Sequence, residues 1–190
     1  MHVVFGINNK NDAEVKWYAM SATYRSELKV KEYLESKQVE CFVPLVSAFR
    51  VVNRRRVKVL VPAVSNLIFV HSSKKAIDAL KKTQPRWQYK MMSDGQKSVP
   101  VVVPDSQMTS FIEACGLVTD KKNFLDAESF AALDLKNGDR IRIIREDGVP
   151  LEGYLVAVQG RRQKTILINA GNVMAVKLDQ NSEGYTIEKL

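Results

Sequence analysis

The chain has 190 residues, 45% of them hydrophobic, and carries a formal net charge of +8 with a pI of about 9.5. That apolar fraction excludes a globally disordered chain, the length suffices for one medium domain or two small ones, and the basic balance suits a polyanionic partner. Two cysteines, Cys41 and Cys115, and two histidines, His2 and His71, exclude a Cys/His zinc site of the usual kind.

The distant cysteines fit a reducing compartment, with a single disulfide left open. No apolar run reaches the ~18 residues of a membrane span. The start, MHVVFGINNKNDAE, lacks the basic and long apolar parts of a secretory signal, so the expectation is a soluble, cytoplasmic protein. Residues 1–115 hold 18 Lys and Arg against 10 Asp and Glu, whereas residues 116–190 hold 11 of each. The whole basic excess lies in the first part, which points to two domains with different partners.

In chain order, Val15–Ala22 (VKWYAMSA) reads as a strand apolar on both faces, as in a central strand. SELKVKEYLESK reads as a helix with Ser26 as N-cap, an apolar stripe of Val30, Tyr33 and Leu34, and a Glu27–Lys31 pair. Cys41–Val46 (CFVPLV) is a strand, with Pro44 expected at an edge or bulge. Phe49–Val52 and Val57–Val61 flank Asn53-Arg54-Arg55-Arg56, the pattern of a hairpin with a basic tip.

Asn66–Val70 (NLIFV) is a core strand. Ser72 or Ser73 caps a short helix bearing Ala76, Ile77 and Leu80. Trp87, Tyr89 and Met91 alternate in a further strand, SDGQ is a turn, and Val99–Val103 is extended. Pro104-Asp105-Ser106 opens a third helix with Met108, Phe111, Ile112 and Cys115 on one face and a stop at Gly116. The order β-α-β-β-α-β followed by a helix is that of a split-βαβ antiparallel sheet with helices on one face.

Residues 117–135 show no clear period and read as a linker with room for a helical turn. From Lys136 the chain alternates in short strands at Arg140–Arg145, Gly153–Val158, Thr165–Ile168 and Val173–Val176. Turns fall at Glu146–Gly148, Gln159–Arg162 and Ala170–Asn172, the pattern of a small closed barrel. No phosphate-cradling glycine loop, zinc-protease helix or nucleophile–base pattern occurs, so no catalytic residue, metal or cofactor is expected.

Three features then coincide: WYAMSATYRSELKVKEYL, CFVP with its basic hairpin and SNLIFV, and a barrel opening on NGDRIRI with Gly153. Together they resemble the NusG family of transcription factors, from about Lys16 to Asp179, and most closely the specialised RfaH and UpxY-type antiterminators of surface-polysaccharide operons. The resemblance implies an α+β protein with an N-terminal extension over 1–14 and an NGN domain over 15–116, built on an antiparallel four-stranded sheet. A linker over 117–135 and an SH3-like KOW barrel over 136–190 would follow.

It further implies that the NGN domain sits on the clamp helices of the RNA polymerase largest subunit through an apolar patch. The matching residues here are Val64, Ser65, Asn66 and Leu67, with Ser21 beside them; Val64 and Leu67 would be held out and Ile68 and Phe69 would be core. The family's aromatic and proline anchors are replaced by Val, Ser and Leu, and the plain alternative is that Val64 and Leu67 are core side chains. Arg54, Arg55 and Arg56, with Arg50 and Lys58, would reach DNA of the elongation complex, or form a solvated tip. Tyr24, Arg25 and Lys29 match the face where RfaH-like proteins touch exposed bases, Tyr24 by stacking; a plain surface tyrosine is the other reading.

The barrel would recruit termination factor Rho or ribosomal protein S10, and Arg161 and Arg162 could instead meet RNA. Its β-branched content gives no reason to expect refolding into helices. The protein would act as a monomer without a membrane. The alternative function is a KOW-type RNA-binding protein associated with the ribosome.

Overall fold

The computed structural model describes residues 13–83, 86–132, 138–145, 150–157, 164–178 and 185–190. Its first sheet is antiparallel and is organised around β1 (Val15–Ala22), whose Trp17, Tyr18, Ala19 and Met20 are all buried. Consecutive side chains of a strand face opposite ways, so burial of four in a row requires cover on both sides. Strands β2 (Glu40–Phe42), β5 (Ile68–Ser73), β1 and β6 (Trp87–Tyr89) lie in the order β2-β5-β1-β6, and β9 (Val102–Val103) also pairs with β1.

Helices α1 (Glu27–Ser36) and α2 (Lys74–Thr83) cover one face, where Val30, Leu34 and Ile77 pack on Tyr18, Met20, Ile68, Val70 and Trp87. Helix α3 (Asp105–Gly116) covers the other, placing Met108, Phe111, Ala114 and Cys115 against Trp17, Ala19, Leu67 and Phe69. The helices therefore lie on both faces, not one, because both faces of β1 and β5 are apolar.

Four local expectations are corrected. Lys31 bonds Glu35 rather than Glu27, which is turned inward. Ser26 occupies the N-cap position of α1, but its Oγ donates back to the Thr23 carbonyl instead of capping. The CFVPLV strand breaks at Val43-Pro44: Pro44 has no N–H for a ladder, and the chain leaves the main sheet as β3 (Leu45–Val52), paired only with β4 (Arg55–Pro62). Met91 does not continue β6; it opens a separate hairpin, β7 (Met91–Asp94) with β8 (Lys97–Pro100), and is half exposed.

The second sheet orders β10 (Phe124–Asp126), β14 (Met174–Leu178), β13 (Lys164–Ala170), β12 (Leu151–Ala157), β11 (Asp139–Arg145) and β15 (Tyr185–Lys189) side by side. Two of these strands were not expected from the sequence. β15 had a signal in the alternation of Tyr185 and Ile187. β10 comes from the span read as a linker, which also holds a 3-10 turn at Lys121–Asn123 and the short α4 (Ala127–Ala131). Gly153 is required where it stands, since an added Cβ would lie 2.4 Å from the Leu167 carbonyl oxygen across the β12–β13 pair. The turns expected at 146–148 and 159–162 lie outside the described residues, as do Arg161, Arg162 and residues 1–12.

Helix α3 joins the two sheets. Ser110 Oγ accepts the Glu152 N–H of β12 at 3.2 Å, and Gln107 Oε1 accepts the Gly171 N–H at 2.9 Å. One apolar cluster runs from Trp17 and Phe69 through Phe111 and Phe124 to Ile141, Ile166 and Val176.

Candidate functional site

The β1–α1 connection and the loop before β5 meet at one corner of the first sheet. Tyr24 (φ 58°), Arg25 (φ 54°) and Asn66 (φ 59°) all adopt left-handed backbone. Each such non-glycine residue costs on the order of 1 kcal/mol or more and persists only where its surroundings hold it. Here the holding groups are visible. The Glu27 carboxylate accepts the Asn66 N–H, and the Asn66 side-chain Oδ1 accepts the Arg25 N–H at 3.4 Å. The result presents Tyr24 at 94% exposure, with Arg25, Lys29 and Ser65 also exposed.

Between α1 and the β3–β4 ribbon lies a cleft of about 480 Å³. Arg25, Lys29, Arg50 and Lys121 give it four cations, Leu28 and Leu60 give it apolar surface, and Glu27 is the one carboxylate among its lining residues. Ser65 lines it too. Lys121 carried no signal of its role, because it lies in a span without period; tertiary docking alone brings it here.

The ribbon is basic along its length, with Arg50, Arg54, Arg55, Arg56 and Lys58 and no acidic residue from Leu45 to Pro62. Asn53 (φ 51°) and Arg54 (φ 63°) make its turn, while Arg55 and Arg56 already pair with Val52 and Val51 in the ladder. All three arginines are exposed, and the Arg56 guanidinium lies 4.9 Å from the centre of the exposed Phe49 ring. The three do not line the cleft, so the expected nucleic-acid residues fall in two groups, Arg25 and Lys29 in the cleft and Arg54–Arg56 at the ribbon end.

A second cleft, of about 440 Å³, is walled on one side by Val64, Ser65 and Leu67 and on the other by residues of the 121–129 segment and Val173, which precedes β14 of the second sheet. The expectation that Leu67 is held out is corrected: it is 1% exposed. It lies two residues before Phe69, so strand alternation turns it to the same α3-covered face, where both belong to one cluster. Val64 is half-buried against that cluster, Ser65 is exposed, and Ser21 is half-buried on β1 opposite Gln88. No group of metal-ligating side chains occurs among the described residues. No described helix is long and apolar enough to cross a membrane.

Fold and face together define a class: an α+β sheet-and-helix part with an electropositive corner, followed by a six-stranded antiparallel sheet. A family model described as transcription termination factor NusG matches residues 15–112, just over half of the chain. The chain belongs to the NusG family, a family of non-enzymatic transcription factors. No curated protein matches the sequence. A solved structure described as "Domain interaction in Thermotoga maritima NusG" is similar at 19% identity, over 93% of this chain and 98% of that one, with a TM-score of 0.39.

Proposed function

We propose that this chain is an operon-specific antitermination or elongation factor of the RfaH and UpxY kind, acting in the cytoplasm on RNA polymerase. The observation that carries the proposal is the shared cleft: Ser65, from the loop that corresponds to the family's polymerase contact, lines the same cavity as Arg25 and Lys29. A protein that bridges polymerase and the nucleic acid emerging beside it needs these two surfaces contiguous. Val64 and Ser65, with Ser21 nearby, take the clamp helices of the largest subunit. Arg25, Lys29 and the ribbon arginines neutralise phosphates, and Tyr24 offers a face on which an unpaired base stacks. The action is mechanical, since holding the clamp closed suppresses pausing and termination. The barrel is then free for a second protein partner, termination factor Rho or ribosomal protein S10.

The test is binding of the full chain to host RNA polymerase, with the isolated clamp-helix segment as competitor. Competed binding, lowered about tenfold or more by Val64→Asp, is expected, because burying a valine contributes about 1.5–3 kcal/mol and a buried carboxylate would oppose the contact. A folded Val64→Asp protein that binds like wild type would remove Val64 from the interface.

A further inference from the structure

We propose that Glu27 is a positioning residue that locks the polymerase-facing and nucleic-acid-facing loops into one surface, an inference that rests on the reading above. Glu27 is 1% exposed, and no ion pair to it occurs among the described residues. A carboxylate withdrawn from water is costly unless it is hydrogen-bonded, and the cations of the cleft make no ion-pair contact with it, so its retention calls for a specific partner. That partner is the backbone N–H of Asn66, 39 residues away in sequence. Asn66 stands between Ser65 and Leu67 in a left-handed conformation, and its side chain in turn receives the Arg25 N–H.

The links run in one line. Glu27 fixes the turn that presents Val64 and Ser65, and Asn66 passes that constraint to Arg25 and, through it, to Tyr24. Neither Tyr24 nor Arg25 has the glycine that would make its backbone conformation cheap. Without the Glu27–Asn66 bond both loops relax, and each ligand must then order its own loop on binding. Glu27 itself need touch neither ligand.

Three variants of the full chain separate this from a plain structural role. Glu27→Gln keeps an oxygen acceptor for the Asn66 N–H. Glu27→Leu keeps the bulk and removes the acceptor. Val30→Ala weakens α1 through its buried face without touching either loop. Affinity is read for host RNA polymerase and, separately, for a fluorescein-labelled single-stranded DNA oligonucleotide. Hydrogen exchange is read at the Asn66 amide.

Glu27→Leu should lose about tenfold for both ligands and expose the Asn66 amide, while Glu27→Gln stays near wild type in all three readouts. Val30→Ala should lower the melting temperature and leave both affinities alone. Glu27→Leu binding both ligands like wild type, or losing no more than Val30→Ala, overturns the proposal. So does Glu27→Gln failing as badly as Glu27→Leu. If the wild-type chain binds neither ligand, the functional reading fails separately, and an Asn66 amide equally protected in wild type and Glu27→Leu overturns the lock itself.

Discussion

Leu67→Ala would remove a side chain that packs with Phe69, Met108 and Phe111 in the α3-covered core. Truncating a fully buried leucine costs about 2–5 kcal/mol, so urea unfolding should show a loss of that size, whereas Ser65→Ala two residues earlier should stay within about 0.5 kcal/mol. The contrast was legible in principle: Leu67 and Phe69 are separated by the strand period, and Phe69 is unmistakably core. Cys41 offers a different single-residue test. Burial pushes its thiol up to about 11, and burial pushes Cys115 up further still. The thiolate is the reactive form, so iodoacetamide should label Cys41 slowly at pH 8, and faster as the pH approaches 11. The sign for stability follows. The unfolded chain releases the Cys41 proton near pH 9 and the folded chain only near 11, so this contribution is whole below pH 9 and declines as pH rises through that window. Labelling as fast as a free thiol at pH 8 would mean that the site is open.

At the scale of elements, the β3–β4 ribbon is the part whose sequence and structure agree most closely. Alternating β-branched residues around Asn53-Arg54 specify a hairpin, and the left-handed pair of residues at its turn matches the twist of its strands. Arginine at the second turn position, where glycine is favoured, is a local cost consistent with a side chain kept for binding. Replacing Arg54, Arg55 and Arg56 together by Ala should therefore barely alter the melting temperature. It should flatten the salt dependence of single-stranded DNA binding by about 0.7 for each phosphate that is no longer neutralised. An unchanged slope would leave the tip a solvated turn. Helix α1 teaches the opposite lesson. The Glu27–Lys31 spacing suggests a surface pair, but Glu27 sits at the first turn, on the side that faces the loop before β5, and a backbone N–H from that loop competes successfully for its carboxylate. A pairing rule based on spacing along one helix cannot see a partner from another element.

Across the whole molecule, Val173, just before β14 of the second sheet, and the 121–129 segment face Val64 and Leu67 over one cleft, and Phe124 is buried where the two sheets share their core. A polymerase helix seated at Val64 would meet that segment. Phe124→Asp places an unpaired carboxylate in the shared core, which should detach β10 from β14 and loosen the docked arrangement. The expected outcome is a larger radius of gyration by small-angle scattering, faster proteolysis within 117–132, and polymerase affinity raised rather than lowered. Affinity unchanged in an undocked variant would mean that the segment does not restrict access to Val64.

By itself the sequence determined the α+β class, the central strand Val15–Ala22, the three principal helices, the basic hairpin and the β-rich C-terminal part. Each of these depends on periodicity, turn chemistry or charge within a short window, and such signals survive without knowledge of what packs where. Tertiary structure alone decided that α3 takes the face opposite α1 and α2, and that residues 124–126 join the second sheet beside β14. It also brought Lys121 to the cationic cleft and aimed Glu27 at Asn66. These outcomes depend on which surfaces meet across long separations in the chain, where the free energy lies in burial and in hydrogen bonds between elements, and no local pattern encodes the meeting.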